Sequence, residues 1–369
     1  MKGLFVWANS YCRSTLAFYR GLAMAFGCPL KIVVLKGLSD ARKKTGFGAD
    51  EFADMDITFY EGIDSVSRYF DDYKDYKHIF GSYQAEDSIA LIKLAIKKGI
   101  KYGICSEAPC NMNEYPTRIL KNVYLHTILP YKVRTIVKNA DFIVNFSGDD
   151  DKYLLVNGWE RNKIIPCGYY SPKIEGTHNI LRTEANWKNF SILLSGIHQW
   201  HRSPMILLEA LRLLKADGLE PQCNITQEGP LLADMKKYAE TYHLRNVRFL
   251  GFVPMNNLIN LYETCSVYVG AGNNEPWGMR LNDVLQCGAP LIVNRGMGGV
   301  KLVDDFNCGL AFKRNSASEL AEAIKTLMRE KNVYLEFARN AYKATKYINP
   351  EAMSKRVANI ITQNYQQWQ

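Results

Sequence analysis

The stretch from Gly270 to Gly299 reads GAGNNEPWGMRLNDVLQCGAPLIVNRGMGG. The preceding run CSVYVGA is typical of a buried strand, and a helix is predicted from Met279 onwards. Glu275 is therefore expected in a loop at the carboxyl end of a strand, beside the unpaired amides that begin a helix. This pattern suits a ligand with sugar hydroxyls beside a phosphate, and Asp283 offers a second carboxylate for a vicinal diol such as ribose. The alternative is that both are ordinary solvated carboxylates.

The same alternation of apolar runs and helical periods extends in both directions along the chain. Downstream, the apolar runs are FSILLSG, QCNITQ, VRFLGF, CSVYVGA, PLIVN and CGLAF. Upstream, the candidate strands are Gly3–Trp7, Lys31–Leu35, His78–Phe80, Tyr102–Cys105, Phe142–Phe146 and Lys163–Pro166. The sequence therefore predicts an α/β protein with two tandem Rossmann-like domains, each a doubly wound parallel sheet.

The domain boundary is predicted within Ser171–Asn189, a Pro-, Thr-, Asn- and Gly-rich stretch without periodicity that is typical of a linker. We predict an amino-terminal, acceptor-binding domain at residues 1–172 and a carboxyl-terminal, nucleotide-sugar-binding domain at residues 173–346. A last helix at residues 347–369 is long enough to cross back to the first domain. Two such sheets would face a cleft with the carboxyl ends of their strands, where α/β proteins bind ligands.

The composition excludes several classes of protein. The chain is 47% hydrophobic and 22% charged, unlike a disordered or low-complexity sequence. It shows no run of 18 apolar residues and no signal-peptide pattern, so we expect a cytoplasmic protein. Nine cysteines without a CxxC pair indicate reduced thiols. The net charge of +9 comes without a Lys/Arg-rich tail, which favours anionic small molecules or an anionic surface over nucleic acid.

Seven blocks in order over Ser191–Leu327 resemble the carboxyl-terminal domain of retaining GT-B glycosyltransferases of family 4, the glycosyl transferases group 1. The blocks are LLSGIHQWHRSP, ITQEGPLLADM, VRFLGFVP, EPWGMRLND, CGAPLIVNRGMGG, VDDFNCGLAF and SASELAEAIKTL. EPWGMRLND matches the acidic pair of that family, whose members are separated by seven residues. The first half of the chain is matched more weakly, by its β/α rhythm and by KIIPCGYYSP.

The resemblance implies a GT-B fold and the transfer of a sugar from a nucleotide-sugar donor. It implies that Glu275 holds the sugar hydroxyls, that Arg202 neutralises the diphosphate, and that Asp283 holds the ribose. The expected donor contacts are Gly196, Arg202, Phe252, Val253, Glu275, Trp277, Gly278, Met279, Asp283, Gly298 and Gly299.

The donor side departs from the family pattern in three places, one of which is Lys301, in the region after Gly298 and Gly299 where the family has an acidic residue. The family has an Arg directly after the glycine of the first loop and a Lys further on. This chain has Ile197 after Gly196, and Arg202 stands at the Lys position. The second acidic residue of the family is usually Glu, whereas Asp283 is one methylene shorter. We therefore assign the phosphate role to Arg202 and none to Ile197.

The acceptor side departs further from the family. The loop after the first strand reads ANSYCRS, where the family has two glycines. Asn9 and Arg13 are candidate contacts there, and Ser14 is predicted to be the N-cap of the next helix. Another strand end reads GICSEAP, where many relatives carry a His that faces the acceptor. Glu107 lies close to that position and could accept the proton of the acceptor hydroxyl, or it could form a structural salt bridge.

No metal site and no cofactor are predicted. Asp149–Asp151 could bind a divalent cation, as an Asp-x-Asp motif does in other transferases. This triplet precedes a helical run, so capping of that helix is the preferred interpretation. Among the histidines, His198 and His201 lie in one loop, where they could substitute for the missing phosphate cation or be simply solvated.

The segment 117–138 reads TRILKNVYLHTILPYKVRTIVK and contains five basic residues, no acidic residue and several apolar ones. A basic amphipathic surface of this type can lie on anionic lipid headgroups, here at the inner face of a membrane. The apolar stripe could instead belong to the core. Pro130 is expected to divide the segment into two helices.

Taken with the resemblance, the sequence predicts a retaining, metal-independent glycosyltransferase. Its acceptor would be a glycan or a lipid-linked saccharide, in the synthesis of a cell-surface polysaccharide or glycoconjugate. Two other interpretations stay open. A nucleotide-sugar epimerase of the same architecture would convert its donor without an acceptor, and a non-catalytic protein would bind sugar nucleotides without turnover.

Overall fold

The structure, a computed structural model, describes residues 1–37, 52, 54–110, 117–149 and 151–368. The chain divides into two compact units. The carboxyl-terminal unit contains Lys173–Ile348, and the amino-terminal unit contains the strands that precede Pro172 together with Asn349–Gln369. Each unit is built on one parallel sheet.

Within the described residues, the sheet of the amino-terminal unit has seven strands. Along the chain they are β1 Leu4–Ala8, β2 Leu30–Val34, β3 Ile57–Phe59, β4 Lys77–Phe80, β5 Tyr102–Ser106, β6 Ile143–Asn145 and β7 Ile164–Pro166. Their order across the sheet is β3-β2-β1-β4-β5-β6-β7. All five residues of β1 are buried, because the strand lies inside the sheet and both of its faces are covered.

Helices surround this sheet. In chain order they are α1 Arg13–Phe26, α2 Ile63–Val66, α3 Tyr69–Asp72, α4 Glu86–Lys97, α5 Thr117–Val123, α6 Leu129–Asn139 and α7 Lys152–Val156, and the last helix of the chain is α16 Pro350–Asn364. α16 packs on α1, where the Ser354 hydroxyl donates a hydrogen bond to Phe18 O at 2.9 Å. A Cβ at Gly21 would lie 2.6 Å from that hydroxyl, so only glycine permits this close approach.

The sheet of the carboxyl-terminal unit has six strands among the residues that the structure describes. They are β8 Ser191–Ser195, β9 Gln222–Thr226, β10 Val247–Gly251, β11 Val267–Gly270, β12 Leu291–Asn294 and β13 Gly309–Phe312, in the order β10-β9-β8-β11-β12-β13. The helices are α8 Glu184–Lys188, α9 Met205–Ala216, α10 Leu232–Thr241, α11 Met255–Thr264, α12 Met279–Gln286, α13 Lys301–Phe306, α14 Ala317–Arg329 and α15 Lys331–Ala344. The winding direction reverses between β8 and β11, and α/β sheets bind ligands at such a point.

The predicted fold class is confirmed, since both units are parallel sheets covered by helices. The linker prediction for Ser171–Asn189 is wrong for its second half, which is packed in the carboxyl-terminal unit. Arg182 is only 1% exposed there and donates hydrogen bonds to Cys265 O at 2.8 Å and Cys287 O at 2.9 Å. Thr183 caps α8 through its side chain. The buried guanidinium is stable because backbone carbonyls replace its water.

Candidate functional site

The loop that carries Glu275 lies between β11 and α12 and is held by the turn 296–299. Glu275 N donates a hydrogen bond to Gly296 O at 3.2 Å, and Glu275 O accepts one from Gly298 N at 3.1 Å. A Cβ at Gly296 would clash with the carbonyl oxygen of Asn273, so the two loops approach this closely because a glycine stands there. The turn thereby fixes the backbone that presents the Glu275 carboxylate.

Gly298 and Gly299 support this acidic loop. Besides the bond from Gly298, Gly299 N donates to Trp277 O at 2.9 Å, and the Trp277 side chain is buried beneath the loop with 1% exposure. The sequence predicts all three residues to be donor contacts. In this structure the two glycine amides are occupied by carbonyl groups, so a direct contact with the donor would require these hydrogen bonds to break.

Arg202 ends a short 3₁₀ turn, Trp200–Arg202, in the loop that follows β8. This turn is bonded to the acidic loop, because His201 O accepts a hydrogen bond from Asn273 N at 2.8 Å. Arg202 Nη2 lies 3.3 Å from Glu275 Oε1, and the two side chains are 33% and 16% exposed. Two residues that the sequence assigns to the donor site therefore form a partly buried ion pair.

A second arginine, Arg280, lies near the loop that follows β8. Gly196, directly after β8, has a φ of 141°, and a Cβ built there would lie 2.9 Å from Arg202 Nη1 and 4.0 Å from Arg280 Nε. Arg280 Nη1 donates a hydrogen bond to Tyr262 Oη at 2.8 Å. Sequence reasoning missed Arg280, although it stands inside the EPWGMRLND block. The signal that could have found it is a basic residue near Glu275 in a chain that lacks the family's Arg at Ile197.

The two histidines of the loop are neutral. Burial lowers the pKa of His201, and the positive charge of Arg202 lowers it further. Burial also lowers the pKa of His198, with a smaller lowering by Arg202. Both imidazoles therefore carry no charge at neutral pH. The interpretation of His198 as a solvated loop residue is wrong, because its side chain is 1% exposed.

The start of α12 lies directly after the acidic loop. Gly278 occupies its N-cap with a φ of 94°, which favours glycine, and Met279 is the first helical residue. The first amides of a helix have no partner inside it and are suited to hold an anion. Asp283 lies further along α12, half-buried, where it interacts electrostatically with Tyr262 and Arg280.

Phe252 and Val253 are predicted donor contacts. They follow β10, at the same end of the sheet as the acidic loop. The Phe252 side chain is 55% exposed. Val253 O accepts a hydrogen bond from Gln227 Nε2 at 3.3 Å, which ties the loop after β10 to the loop after β9. The ends of the neighbouring strands β9 and β10 therefore contribute to the same end of the sheet as the acidic loop after β11.

In the amino-terminal unit, the predicted acceptor residues also follow strands. Asn9 comes directly after β1, and its buried side-chain oxygen has no hydrogen-bond partner among the described residues. Arg13 is the first residue of α1. Glu107 follows β5, and its carboxylate interacts with the Tyr169 hydroxyl. Burial and, next, the charge of Glu107 raise the pKa of Tyr169, so this phenol stays neutral and can donate to the carboxylate.

The structure contradicts two predictions of helix capping, for Ser14 and for the Asp149–Asp151 triplet. Ser14 does not cap α1, because the helix already begins at Arg13 with Cys12 as its N-cap, and the Ser14 hydroxyl lies 3.3 Å from Cys12 Sγ. Asp151 does occupy the N-cap position of α7, but its carboxylate pairs with Arg161 Nη1 at 2.6 Å instead of the helix amides. Asp150 lies outside the described residues.

The basic segment 117–138 is largely exposed. It forms α5, a π-helical turn at Tyr124–Ile128, and α6, with Pro130 near the start of α6. The two helices are therefore separated by the π-helical turn, which precedes the proline, and not by Pro130 itself as expected. Its apolar side chains with more than half of their surface exposed are Ile119, Leu120, Val123, Ile128 and Tyr131. Among the helices of the described residues, none has the length and apolar character needed to cross a membrane.

Comparison with protein families finds one match over the carboxyl-terminal unit. Residues 182–344 match the family of glycosyl transferases group 1. This region contains Gly196, Arg202, Glu275, Arg280 and Asp283, so it includes the whole candidate donor site. The result supports the resemblance to glycosyl transferases group 1 that the sequence blocks indicate.

A curated relative gives a partial match. It is the N,N'-diacetylbacillosaminyl-diphospho-undecaprenol alpha-1,3-N-acetylgalactosaminyltransferase of Campylobacter jejuni subsp. jejuni serotype O:2, which is 24% identical over 211 residues. The alignment covers 55% of this chain and 52% of the relative, so it spans about half the length of that curated protein.

Solved structures match over nearly the whole chain. Anabaena Alr3699/HepE in complex with UDP has a TM-score of 0.68 at 13% identity, with 98% of this chain and 100% of that chain covered. The lipopolysaccharide outer core galactosyltransferase WaaB, in its apo form, has a TM-score of 0.68 at 12% identity, with 98% and 99% covered. These likenesses confirm the predicted GT-B fold.

Proposed function

We propose that this chain is a glycosyltransferase that moves a sugar from a UDP-sugar donor to a hydroxyl of a glycan or lipid-linked acceptor. The observation that carries the proposal is the Arg202–Glu275 ion pair, which lies where the winding of the sheet reverses and inside the region that matches glycosyl transferases group 1. A cation for a diphosphate and a carboxylate for sugar hydroxyls are held side by side. UDP is proposed because the similar Anabaena structure contains it.

The proposed chemistry retains the configuration of the sugar and needs no metal ion. The bond between the anomeric carbon and the diphosphate oxygen breaks, and the electron pair leaves with the diphosphate. Arg202 and the amides of Gly278 and Met279 would stabilise the charge that develops on this leaving group. Glu275 would bind the sugar hydroxyls and the positive charge that grows on the sugar. The acceptor oxygen then forms the new bond on the face that the diphosphate leaves.

Further contacts complete the proposal for the two substrates. Asp283 would bind the ribose, and the backbone at Phe252 and Val253 would contact the base. In the amino-terminal unit, Glu107 would accept the proton of the acceptor hydroxyl, while the neutral Tyr169 phenol holds its carboxylate. Asn9 has a buried side-chain oxygen that lacks a hydrogen-bond partner within the described part of the chain and suits a hydroxyl donor.

We propose a lipid-linked saccharide as the acceptor, in the synthesis of a surface polysaccharide. The partial relative is named for transfer to a diphospho-undecaprenol-linked sugar. The exposed apolar and basic side chains of segment 117–138 fit peripheral contact with an anionic membrane, because the apolar groups gain by leaving water and the cations pair with headgroups. A protein at the membrane surface reaches such acceptors directly.

The proposal is tested by incubating the full chain with UDP-sugars and undecaprenyl-diphosphate-linked saccharides, with and without EDTA. We expect a transferred sugar whose anomeric configuration, measured by NMR, equals that of the donor, and activity that survives EDTA. Glu275→Gln should lower kcat/KM by about 100-fold or more, since it removes a charge that matters in the transition state. The matched control Glu322→Gln changes an exposed carboxylate of α14 and should have no effect.

The other outcomes reject parts of the proposal. Near-normal turnover by Glu275→Gln would remove its assigned role. Conversion of a UDP-sugar in the absence of any acceptor would identify an epimerase, and tight UDP binding without turnover on any acceptor would identify a binding protein. Strict dependence on added Mg²⁺ would contradict metal-independent transfer.

A further inference from the structure

Two guanidinium groups meet at the loop that follows β8. The hypothetical Cβ of Gly196 lies near both Arg202 Nη1 and Arg280 Nε, at 2.9 Å and 4.0 Å. Arg202 reaches this place from the loop after β8, whereas Arg280 reaches it from the first turn of α12. Ile197, the residue next to Gly196, is apolar and 47% exposed and contributes no charge. The second cation at this loop therefore comes from a helix.

Arg280 is held in place by a neutral partner. Its Nη1 donates to Tyr262 Oη at 2.8 Å. Tyr262 is fully buried, and this burial raises the pKa of its phenol to about 12, so the hydroxyl is uncharged at neutral pH. The hydrogen bond consequently orients the guanidinium without neutralising its positive charge.

The two arginines have similar electrostatic surroundings. Arg202 lies beside Glu275, and Arg280 interacts electrostatically with Asp283. A nearby carboxylate reduces the repulsion between two like charges, which stabilises the arrangement without a ligand. In the proposed function both carboxylates bind hydroxyl groups of the donor, and the two guanidinium groups remain available for phosphate oxygens.

We propose that Arg280 contacts the diphosphate of the donor together with Arg202, and that Tyr262 is the positioning residue of Arg280. This inference rests on the proposed function, because it adds a residue to the same donor site. A guanidinium presents planar N–H donors that match the oxygens of a phosphate, and a diphosphate offers one phosphate to each of two arginines. Arg280 interacts electrostatically with Asp283, the proposed ribose ligand, and the ribose carries the first phosphate. Arg280 should therefore contribute to the binding of UDP and not to that of uridine, which has no phosphate.

Calorimetric titration of the full chain with UDP and with uridine tests this assignment. Arg280→Gln should raise the Kd for UDP by about tenfold or more, as the loss of a charge-assisted hydrogen bond does, and the Kd for uridine by less than about threefold. Arg212→Gln is the matched control, because Arg212 Nε also donates to a tyrosine hydroxyl, that of Tyr238 at 3.2 Å, on α9 and α10. It should leave both Kd values unchanged.

Two conservative variants keep the test meaningful if Arg280→Gln folds poorly. Tyr262→Phe should weaken UDP binding less than Arg280→Gln does and raise the KM of the donor more than it lowers kcat. Arg280→Lys should bind UDP with an intermediate Kd, because Lys keeps the charge but loses the planar donor pair. Melting temperatures close to that of the unchanged protein would show that these variants are folded.

The inference is overturned if Arg280→Gln binds UDP within twofold of the unchanged protein, or if it weakens UDP and uridine equally. Either result leaves the proposed function intact, because the unchanged protein still binds UDP. If the unchanged protein binds none of UDP, GDP and ADP, both proposals fail. If it prefers GDP or ADP, the same comparison with guanosine or adenosine decides the role of Arg280.

Discussion

Single residues of the candidate donor site are held by the backbone without any ligand. His201 O and the turn 296–299 fix the acidic loop, and Arg202 and Glu275 pair across the two loops. Groups that are already oriented need no reorganisation when charge develops on a leaving group. The ion pair also gives Arg202 a fixed direction, so a donor would exchange one anionic partner of this guanidinium for another.

A side chain at Gly196 should weaken the binding of UDP. Gly196→Ala places a methyl group 2.9 Å from Arg202 Nη1 at a φ of 141°, which L-residues rarely adopt, so the loop must shift. We expect a loss of about 1–3 kcal/mol in the free energy of UDP binding, measured by calorimetry. The matched control Gly218→Ala also has a positive φ, 74°, but meets nothing within 4 Å, and it should bind UDP normally. Equal losses in both variants would contradict a specific role of Gly196.

The sequence could predict some of these residues and not others. Glu275 and Asp283 stand in a spacing that is visible in the chain. The role of Arg202 is what the resemblance implies, because Arg202 stands at the family's Lys position. Arg280 is visible as a basic residue near Glu275, but the direction of its side chain could not be predicted, because it depends on a hydrogen bond to Tyr262 on another helix. The predicted capping role of Ser14 is wrong, since α1 begins at Arg13, two residues before the start that a Ser14 cap requires. Local propensity does not decide such a difference.

At the scale of elements, the segment 117–138 combines two exposed helices and a π-helical turn. Part of its apolar stripe belongs to the core, where Leu125, Leu129 and Val133 are buried, whereas Leu120 and Tyr131 are 73% and 84% exposed and lie outside this stripe. We expect the double variant Leu120→Ser, Tyr131→Ser to bind vesicles of phosphatidylglycerol and phosphatidylcholine about tenfold more weakly, because two apolar groups no longer leave water. Co-sedimentation measures this binding, and high salt should weaken it as well.

The control for this experiment is Met24→Ser. Met24 lies on α1, is apolar and is 70% exposed, so its substitution removes a similar surface outside the segment. Its binding to the same vesicles should not change. Vesicle binding that is unaffected by the double variant, or absent in the unchanged protein, would contradict the membrane proposal.

Most strands could be predicted because buried parallel strands appear as short continuous apolar runs. β3 could not, because its three residues lie in a polar stretch and are only partly buried. The π-helical turn at Tyr124–Ile128 leaves no mark in the hydrophobic period. The second half of Ser171–Asn189 looks like a linker by composition, and the buried hydrogen bonds of Arg182 that hold it are visible only in three dimensions.

At the scale of the whole molecule, the sequence predicts two sheets and a last helix long enough to cross back to the first domain, but not the contacts that hold this helix. The alternation of strand and helix patterns determines the α/β class, since each parallel connection needs a covering helix. α16 belongs to the amino-terminal unit because Ser354 fits against Gly21 and because Trp368 Nε1 donates to Asp141 Oδ2 at 2.8 Å. Neither contact can be inferred from periodicity.

The most direct test of the donor site is a crystal structure of this protein with bound UDP. We expect the diphosphate to lie within hydrogen-bond distance of the Arg202 and Arg280 guanidinium groups and of the first amides of α12. The Glu275 carboxylate should then contact the sugar. A diphosphate bound elsewhere in the chain, or density at this site that excludes both arginines, would contradict it.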